Sequence, residues 1–234
     1  MSIRSTKFAP NTDGYVYKSG TGGWASVRDA ATGAGAGASV TRSANAVLVE
    51  HSTGRGGGSY IVYRSFFAFD TSAFKTTPSE SSLGIRGYSA GTADIIVVKA
   101  TKPDLSTDIA AADFDAITGF VAGASMNGNV TDYSSEVTTW STSGYNTITL
   151  NAAALADIVS LDVFVIAIVE YDYDYLNVAP SSTAVKSGMY YNEYGSATAP
   201  YLRVVYGNSV NDVTAANLGN VMDVDENLGS IMDV

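Results

Sequence analysis

Cysteine is absent from the 234 residues, and histidine occurs once, as His51. Neither a disulfide framework nor a zinc site of the usual Cys/His kind can be built from that inventory. A Ser-His-Asp triad would have to centre on His51, and the G-x-S-x-G match at Gly87-Tyr-Ser-Ala-Gly91 leads from one expected strand to another, with no helix after it to complete the turn that presents a serine. Basic residues are few as well: 13 Lys and Arg stand against 23 Asp and Glu, a net charge of −10. With no basic stripe to follow a phosphate backbone, nucleic acid is not an expected partner. No stretch approaches the ~18 apolar residues of a membrane span. Met1–Pro10 carries neither the apolar run nor the cleavage site of a secretory leader, so synthesis and assembly in a cytoplasm are expected.

What the chain does have is the material of a β-sandwich. Hydrophobic residues make up 46%, charged residues only 15%, and glycine (23) and tyrosine (15) are abundant while proline (5) is scarce. Short runs with period-two alternation are separated by Gly/Ser/Thr-rich connectors such as Thr32–Gly37 and Ser52–Gly58. Strands are expected at Gly14–Ser19, Trp24–Asp29, Ala38–Arg42, Ala46–His51, Ser59–Phe69, Leu83–Ser89, Ala93–Ala100, Tyr145–Leu150, Val163–Tyr171, Gly188–Asn192 and Tyr201–Tyr206. Helical turns are expected at Ala110–Ala116 and Asn151–Ile158, the second with Asn151 as N-cap. Val163–Val169 is apolar on both faces and belongs in the middle of a sheet. The pattern predicts an all-β, two-sheet antiparallel β-sandwich of jelly-roll type over residues 12–206. An N-terminal arm (1–11) precedes it and a repetitive C-terminal tail (207–234) follows.

The tail repeats itself. Asn217-Leu-Gly-Asn-Val-Met-Asp-Val224 returns ten residues later as Asn227-Leu-Gly-Ser-Ile-Met-Asp-Val234. It carries five acidic residues (Asp212, Asp223, Asp225, Glu226, Asp233) and no Lys or Arg. Val210, Val213, Leu218, Val221, Val224, Leu228, Ile231 and Val234 recur mostly every three or four positions. Gly219 and Gly229 oppose a stable isolated helix, so these apolar side chains call for a partner surface. They form the expected assembly interface; a disordered acidic tail is the alternative.

Tyr63-Arg-Ser-Phe-Phe-Ala-Phe-Asp-Thr-Ser72 resembles the central strand of DNRLRE-type jelly-roll domains, which are similar to some carbohydrate-binding modules. Asp13–Val16, Ser82-Leu83, Thr147–Asn151, Phe164–Ala167 and Ala199–Tyr206 extend the resemblance in order across residues 12–206. Families of this kind occur in bacterial surface proteins and in phage structural proteins. The tail departs from them and resembles terminal repeats of viral fibre and capsid-associated proteins, which implies a homotrimer or docking to other virion proteins. Within the central motif, Arg64, Phe66 and Ala68 share one face, and Asp70 ends the strand with an expected Asx-type turn.

The densest polar-aromatic cluster is Glu170-Tyr-Asp-Tyr-Asp-Tyr175. Kept extended, it would point Glu170, Asp172 and Asp174 to one side and Tyr171, Tyr173 and Tyr175 to the other. The carboxylates suit calcium, which takes several oxygen ligands. The tyrosines, joined by Tyr190, Tyr191 and Tyr194, suit a platform on which sugar rings stack. Solvated carboxylates and edge-covering tyrosines are the plain alternative. A hydrolytic carboxylate pair would have to come from Asp172, Asp174 and Glu193. The expected function is therefore that of a non-enzymatic virion structural protein: a bacteriophage head-fibre, decoration or tail-fibre subunit on the virion surface. The alternative is a carbohydrate-binding adhesion module for host polysaccharide.

Overall fold

The computed structural model describes residues 3–38, 40–54, 58–181, 183–195 and 197–207. The tail positions named above lie outside these residues. The strands are β1 (Ile3–Phe8), β2 (Gly14–Gly20), β3 (Gly35–Ala38), β4 (Arg42–Ser52), β5 (Ser59–Asp70), β6 (Glu80–Gly91), β7 (Ile95–Lys99), β8 (Tyr145–Thr149), β9 (Val163–Glu170), β10 (Ala184–Tyr190) and β11 (Tyr201–Tyr206). Two short helices accompany them, α1 (Trp24–Arg28) and α2 (Ala152–Ser160). Strand pairing is antiparallel throughout. The fold is the expected all-β antiparallel sandwich.

One sheet runs β1-β11-β6-β8. The other is built on β5, which pairs β4 and β2 along its first half and β9 along its second, with β10, β3 and β7 outside them. β6 joins the two: Glu80–Arg86 pairs β11 and β8, while Gly87 and Gly91 pair β10. Gly87 is required there, because a Cβ would run into the Ser141 carbonyl and the Trp140 indole.

Alternation on β5 and β9 feeds two cores. Phe67, Phe69, Phe164, Ile166 and Ile168 point between the sheets, against Leu83, Ile85, Ile148, Leu202 and Val204. Phe66, Ala167 and Val169 point to the opposite face, into a second core with Val16, Val62, Val98, Phe114 and Met126. A layer of loops and α1 covers that face. The second sheet is thus buried on both sides, which accounts for the doubly apolar run at Val163–Val169. The first sheet is covered on one side only, and its outer face meets solvent.

Several local expectations change. Ile3–Phe8, expected as an arm, is the edge strand β1, paired with β11 from Ile3–Tyr206 to Phe8–Tyr201. Trp24–Asp29 is helical rather than extended; α1 follows Gly23 at φ 95° and buries only Val27 and Arg28. The first expected helical turn shrinks to a 3₁₀ turn at Ala111–Asp113. The second is α2, with the Asn151 side chain accepting the Ala154 N–H at 3.1 Å. No described helix is long and apolar enough to cross a membrane.

Candidate functional site

The Glu170–Tyr175 cluster is not extended. Both oxygens of the Glu170 carboxylate accept backbone N–H groups, from Asp172 at 3.1 Å, Tyr173 at 2.7 Å and Asp174 at 3.0 Å. That capture curls Tyr171–Tyr175 into a single π-type turn, and the expected alternation of carboxylates and rings is lost. Burial pushes the Glu170 carboxyl up to about 7, although its three N–H donors pull the other way.

Asp174 points inward and is fully buried. Arg64 donates to it twice, Nε to Oδ2 at 2.8 Å and Nη2 to Oδ1 at 2.7 Å. The remaining donors of Arg64 reach the Phe114 and Arg28 carbonyls at 2.8 and 2.9 Å. Arg28, equally buried, donates to the Asp174 carbonyl and to Asp29 Oδ1. Phe114 lies 4.2 Å from the Arg64 guanidinium carbon. Such a buried ion group is tolerated because its hydrogen-bonding capacity is met on all sides. It pins the loop layer to the second sheet.

The expected calcium set is therefore divided. Glu170 and Asp174 are engaged by backbone N–H groups and by arginine, and Asp172 alone turns to solvent. Asp172 meets Asp94 and Glu136 instead, with one carboxylate oxygen from each lying within 4.8 Å of the others. Burial, and then the neighbouring carboxylates, raise the Asp94 and Glu136 carboxyls. This is the place among the described residues where acidic oxygens come close enough to share one cation.

The expected tyrosine platform is divided too. Tyr175 is buried, donates to Asp132 Oδ2 at 2.8 Å and stacks on Tyr171 at 5.2 Å. Tyr191 is a core residue, bonded to Ser65 Oγ at 2.7 Å and stacked on Phe67. Tyr173 is half-buried beside the second core. Tyr190 and Tyr194 lie elsewhere, on the surface. Asp174, held by Arg64, is withdrawn from any hydrolytic pair with Asp172 or Glu193. His51 stacks on Tyr60, its partner in the β4–β5 hairpin, at 4.2 Å, and its Nδ1 lies 3.0 Å from the Ser181 carbonyl ahead of β10. Asp70 makes the expected Asx turn, accepting the Ser72 N–H at 3.0 Å and its hydroxyl at 2.6 Å, and these bonds lower its carboxyl.

The outer face of the first sheet, continued across β6 onto β10 and β4, gathers what remains. Tyr201 on β11 stands beside Phe8 on β1 (ring centres 6.3 Å apart) and Tyr145 on β8 (5.2 Å). The Tyr201 ring lies over Gly84, where any Cβ would occupy its space. Thr6, Phe8, Tyr145, Ala197, Tyr201 and Arg203 line a cavity of about 410 Å³. The Tyr145 hydroxyl donates to the Ala199 and Ala197 carbonyls at 3.0 and 3.3 Å. Burial and Tyr201 raise the Tyr145 phenol, which keeps it a donor.

Arg86 is the cross-strand partner of Tyr145, and its guanidinium carbon is 5.7 Å from the Tyr190 ring. Arg42 follows, 4.6 Å from Tyr88 and 5.3 Å from Tyr194. Tyr194 and Phe8 are 49% and 52% exposed, unusual for rings this large. The rings of Phe8, Tyr201 and Tyr145 are thus continued by Arg86 and Arg42 interleaved with Tyr190, Tyr88 and Tyr194. Arg42, Arg86 and Arg203 make no ion pair among the described residues. The Nε–H groups of Arg86 and Arg203 have no hydrogen-bond partner among them either. The sequence pattern singles out Tyr190 and Tyr194 of this strip. The shared face of Tyr201 and Arg203 is legible in the alternation of β11, whereas Phe8, Arg42, Arg86 and Tyr145 join only through strand register.

No protein-family model matches the chain, and comparison with curated proteins gives no match.

Proposed function

We propose that this chain is a non-enzymatic structural protein of a bacteriophage virion, a head-fibre, decoration or tail-fibre subunit. In this role the sandwich is the displayed body and residues 207–234 make the contacts with like subunits or with other virion proteins. The observation that carries the reading is the repeat Asn217–Val224 and Asn227–Val234, which follows the last strand in the chain and is rich in apolar residues without one basic side chain. Eight apolar side chains at roughly 1.5–3 kcal/mol each when fully buried would stabilise an assembly even after the entropic cost of association. A non-enzymatic role is supported by the engagement of Glu170 and Asp174 in the fold and by the hairpin contact of His51. The test is the solution mass of the full chain beside a version ending at Gly207, by light scattering. A trimer that becomes a monomer on truncation is the expected result, and two monomers would remove the self-assembly part of the reading.

A second reading, compatible with the first, is adhesion to host polysaccharide. It is favoured by the aromatic strip from Phe8 to Tyr194, since rings on an outer sheet face suit the C–H faces of sugars. Any calcium role passes in this reading to Asp94, Glu136 and Asp172.

A further inference from the structure

We infer that the strip from Phe8 to Tyr194, the outer face of the first sheet and its continuation onto β10 and β4, is a binding site for acidic polysaccharide, a sugar chain bearing carboxylates. The inference rests on the adhesion reading and adds to it the charge class of the ligand and the residues that select it.

A cavity of about 410 Å³ falls in the usual size range of ligand sites. Its walls are rings: Phe8, Tyr145 and Tyr201, with centres 5.2–6.3 Å apart. Gly84 lets the Tyr201 ring lie against β6, because the ring occupies the space a side chain there would need. Rings alone would suit a neutral sugar. The guanidiniums decide otherwise. Arg203 stands in the cavity wall, and Arg86 and Arg42 continue from it between Tyr145, Tyr190 and Tyr194.

Elsewhere in the molecule, Arg28 and Arg64 are held by carboxylates and carbonyls at 2.7–3.1 Å. On this face, Arg42, Arg86 and Arg203 have no carboxylate partner among the described residues, in a chain whose net charge is −10. A planar guanidinium beside an aromatic ring offers a carboxylate two parallel donors while the ring takes the sugar's apolar side. Glu80, on the same face of β6, pairs Val205 and so lies diagonal to Arg203, yet makes no ion pair with it. Among the described side chains this surface therefore presents arginines without paired carboxylates, and it is complementary to uronate chains rather than to neutral glucans.

The experiment is affinity electrophoresis of the full chain through gels containing polygalacturonate, with dextran as neutral probe and poly(dT) as a non-sugar polyanion. Wild type should be retarded by polygalacturonate, more weakly as salt rises, and not by dextran or poly(dT). The Arg42→Gln/Arg203→Gln variant should lose affinity about tenfold per guanidinium, the loss of one charge-assisted bond each. Arg42 is exposed and the Arg203 guanidinium donates no hydrogen bond within the described residues, so an unchanged thermal midpoint in the double variant excludes unfolding as the cause. Tyr194→Ala, at an exposed ring, is the second variant and should weaken retardation without changing its salt dependence. Three results overturn the inference: no retardation by polygalacturonate, equal retardation by dextran that survives the arginine changes, or equal retention by poly(dT). The dextran result would keep the adhesion reading and remove its charge class. The assembly reading is decided separately, by solution mass.

Discussion

Arg64 and Asp174, 110 residues apart in sequence, meet fully buried through two hydrogen bonds of 2.8 and 2.7 Å. One residue comes from the middle of the long strand β5 and the other from the turn after β9. The loop layer owes its attachment to this pair. Removing one charge leaves the other buried and uncompensated, so Arg64→Met should cost about 3–5 kcal/mol. Urea unfolding checks this, and a cost below about 1 kcal/mol, the level of an exposed pair, would mean that the layer is held by its apolar contacts alone.

Glu170 sets a pH dependence with a definite sign. Its carboxyl is raised from 4.5 to about 7 in the folded protein, chiefly by burial. Between these two values the folded state holds a proton that the unfolded chain has released. The stabilisation is complete below pH 4.5 and is lost as pH rises through about 7, at roughly 1.4 kcal/mol per unit at most. Denaturation midpoints measured from pH 4.5 to 8 should therefore fall with pH in wild type, and the slope should flatten in Glu170→Gln. Parallel profiles would locate the dependence elsewhere, with Asp94 and Glu136 the next carboxyls raised by burial.

The Asp94, Glu136 and Asp172 carboxylates repel one another when no cation is present. Glu136→Gln should therefore raise the thermal midpoint in chelator. If calcium is held there, adding it should raise the wild-type midpoint and erase or reverse that advantage. A wild-type midpoint insensitive to calcium, with Glu136→Gln still the more stable, would show an acidic cluster without an ion.

Gly84 separates folding from recognition. In Gly84→Ala the new Cβ displaces the Tyr201 ring, which sits on the outer face between Phe8 and Tyr145. Stability should fall by about 1 kcal/mol or less, as for other tolerated backbone-neutral changes at the surface. Polygalacturonate retardation should fall at least as much as in Tyr201→Ala. A large loss of stability would show that the ring cannot move and that Gly84 serves packing first.

The strands were legible where their pattern carried its own instructions. Val163–Val169 reads as central because both of its faces are apolar, and β9 does lie between β5 and β7. Asn151 and Asp70 read as cap and turn because their bonds reach only two or three residues along the chain. Arg64 could be placed on a face with Phe66 and Ala68, but its partner lay beyond any local pattern. Ile3–Phe8 carries no turn signal or apolar stripe of its own and becomes a strand through β11. At Glu170–Tyr175 the alternation of acid and ring was real in the sequence. It was overridden by a buried carboxylate that binds its own downstream N–H groups, an arrangement period-two counting does not contain. The outer strip was hidden for a different reason, since its members come from six strands and the turn after β10, and only register brings them together.

The pairing of β1 with β11 sets Ile3 beside Tyr206 and Phe8 beside Tyr201. The chain thus enters the first strand and leaves the last at one corner, about 17 Å along the strand axis from the Phe8–Tyr201 pair, at roughly 3.4 Å per residue. A subunit tethered at that corner holds its aromatic end away from the tether. The molecule has a root and a tip, and anything fastened where the chain enters β1 or leaves β11 keeps the tip free to touch.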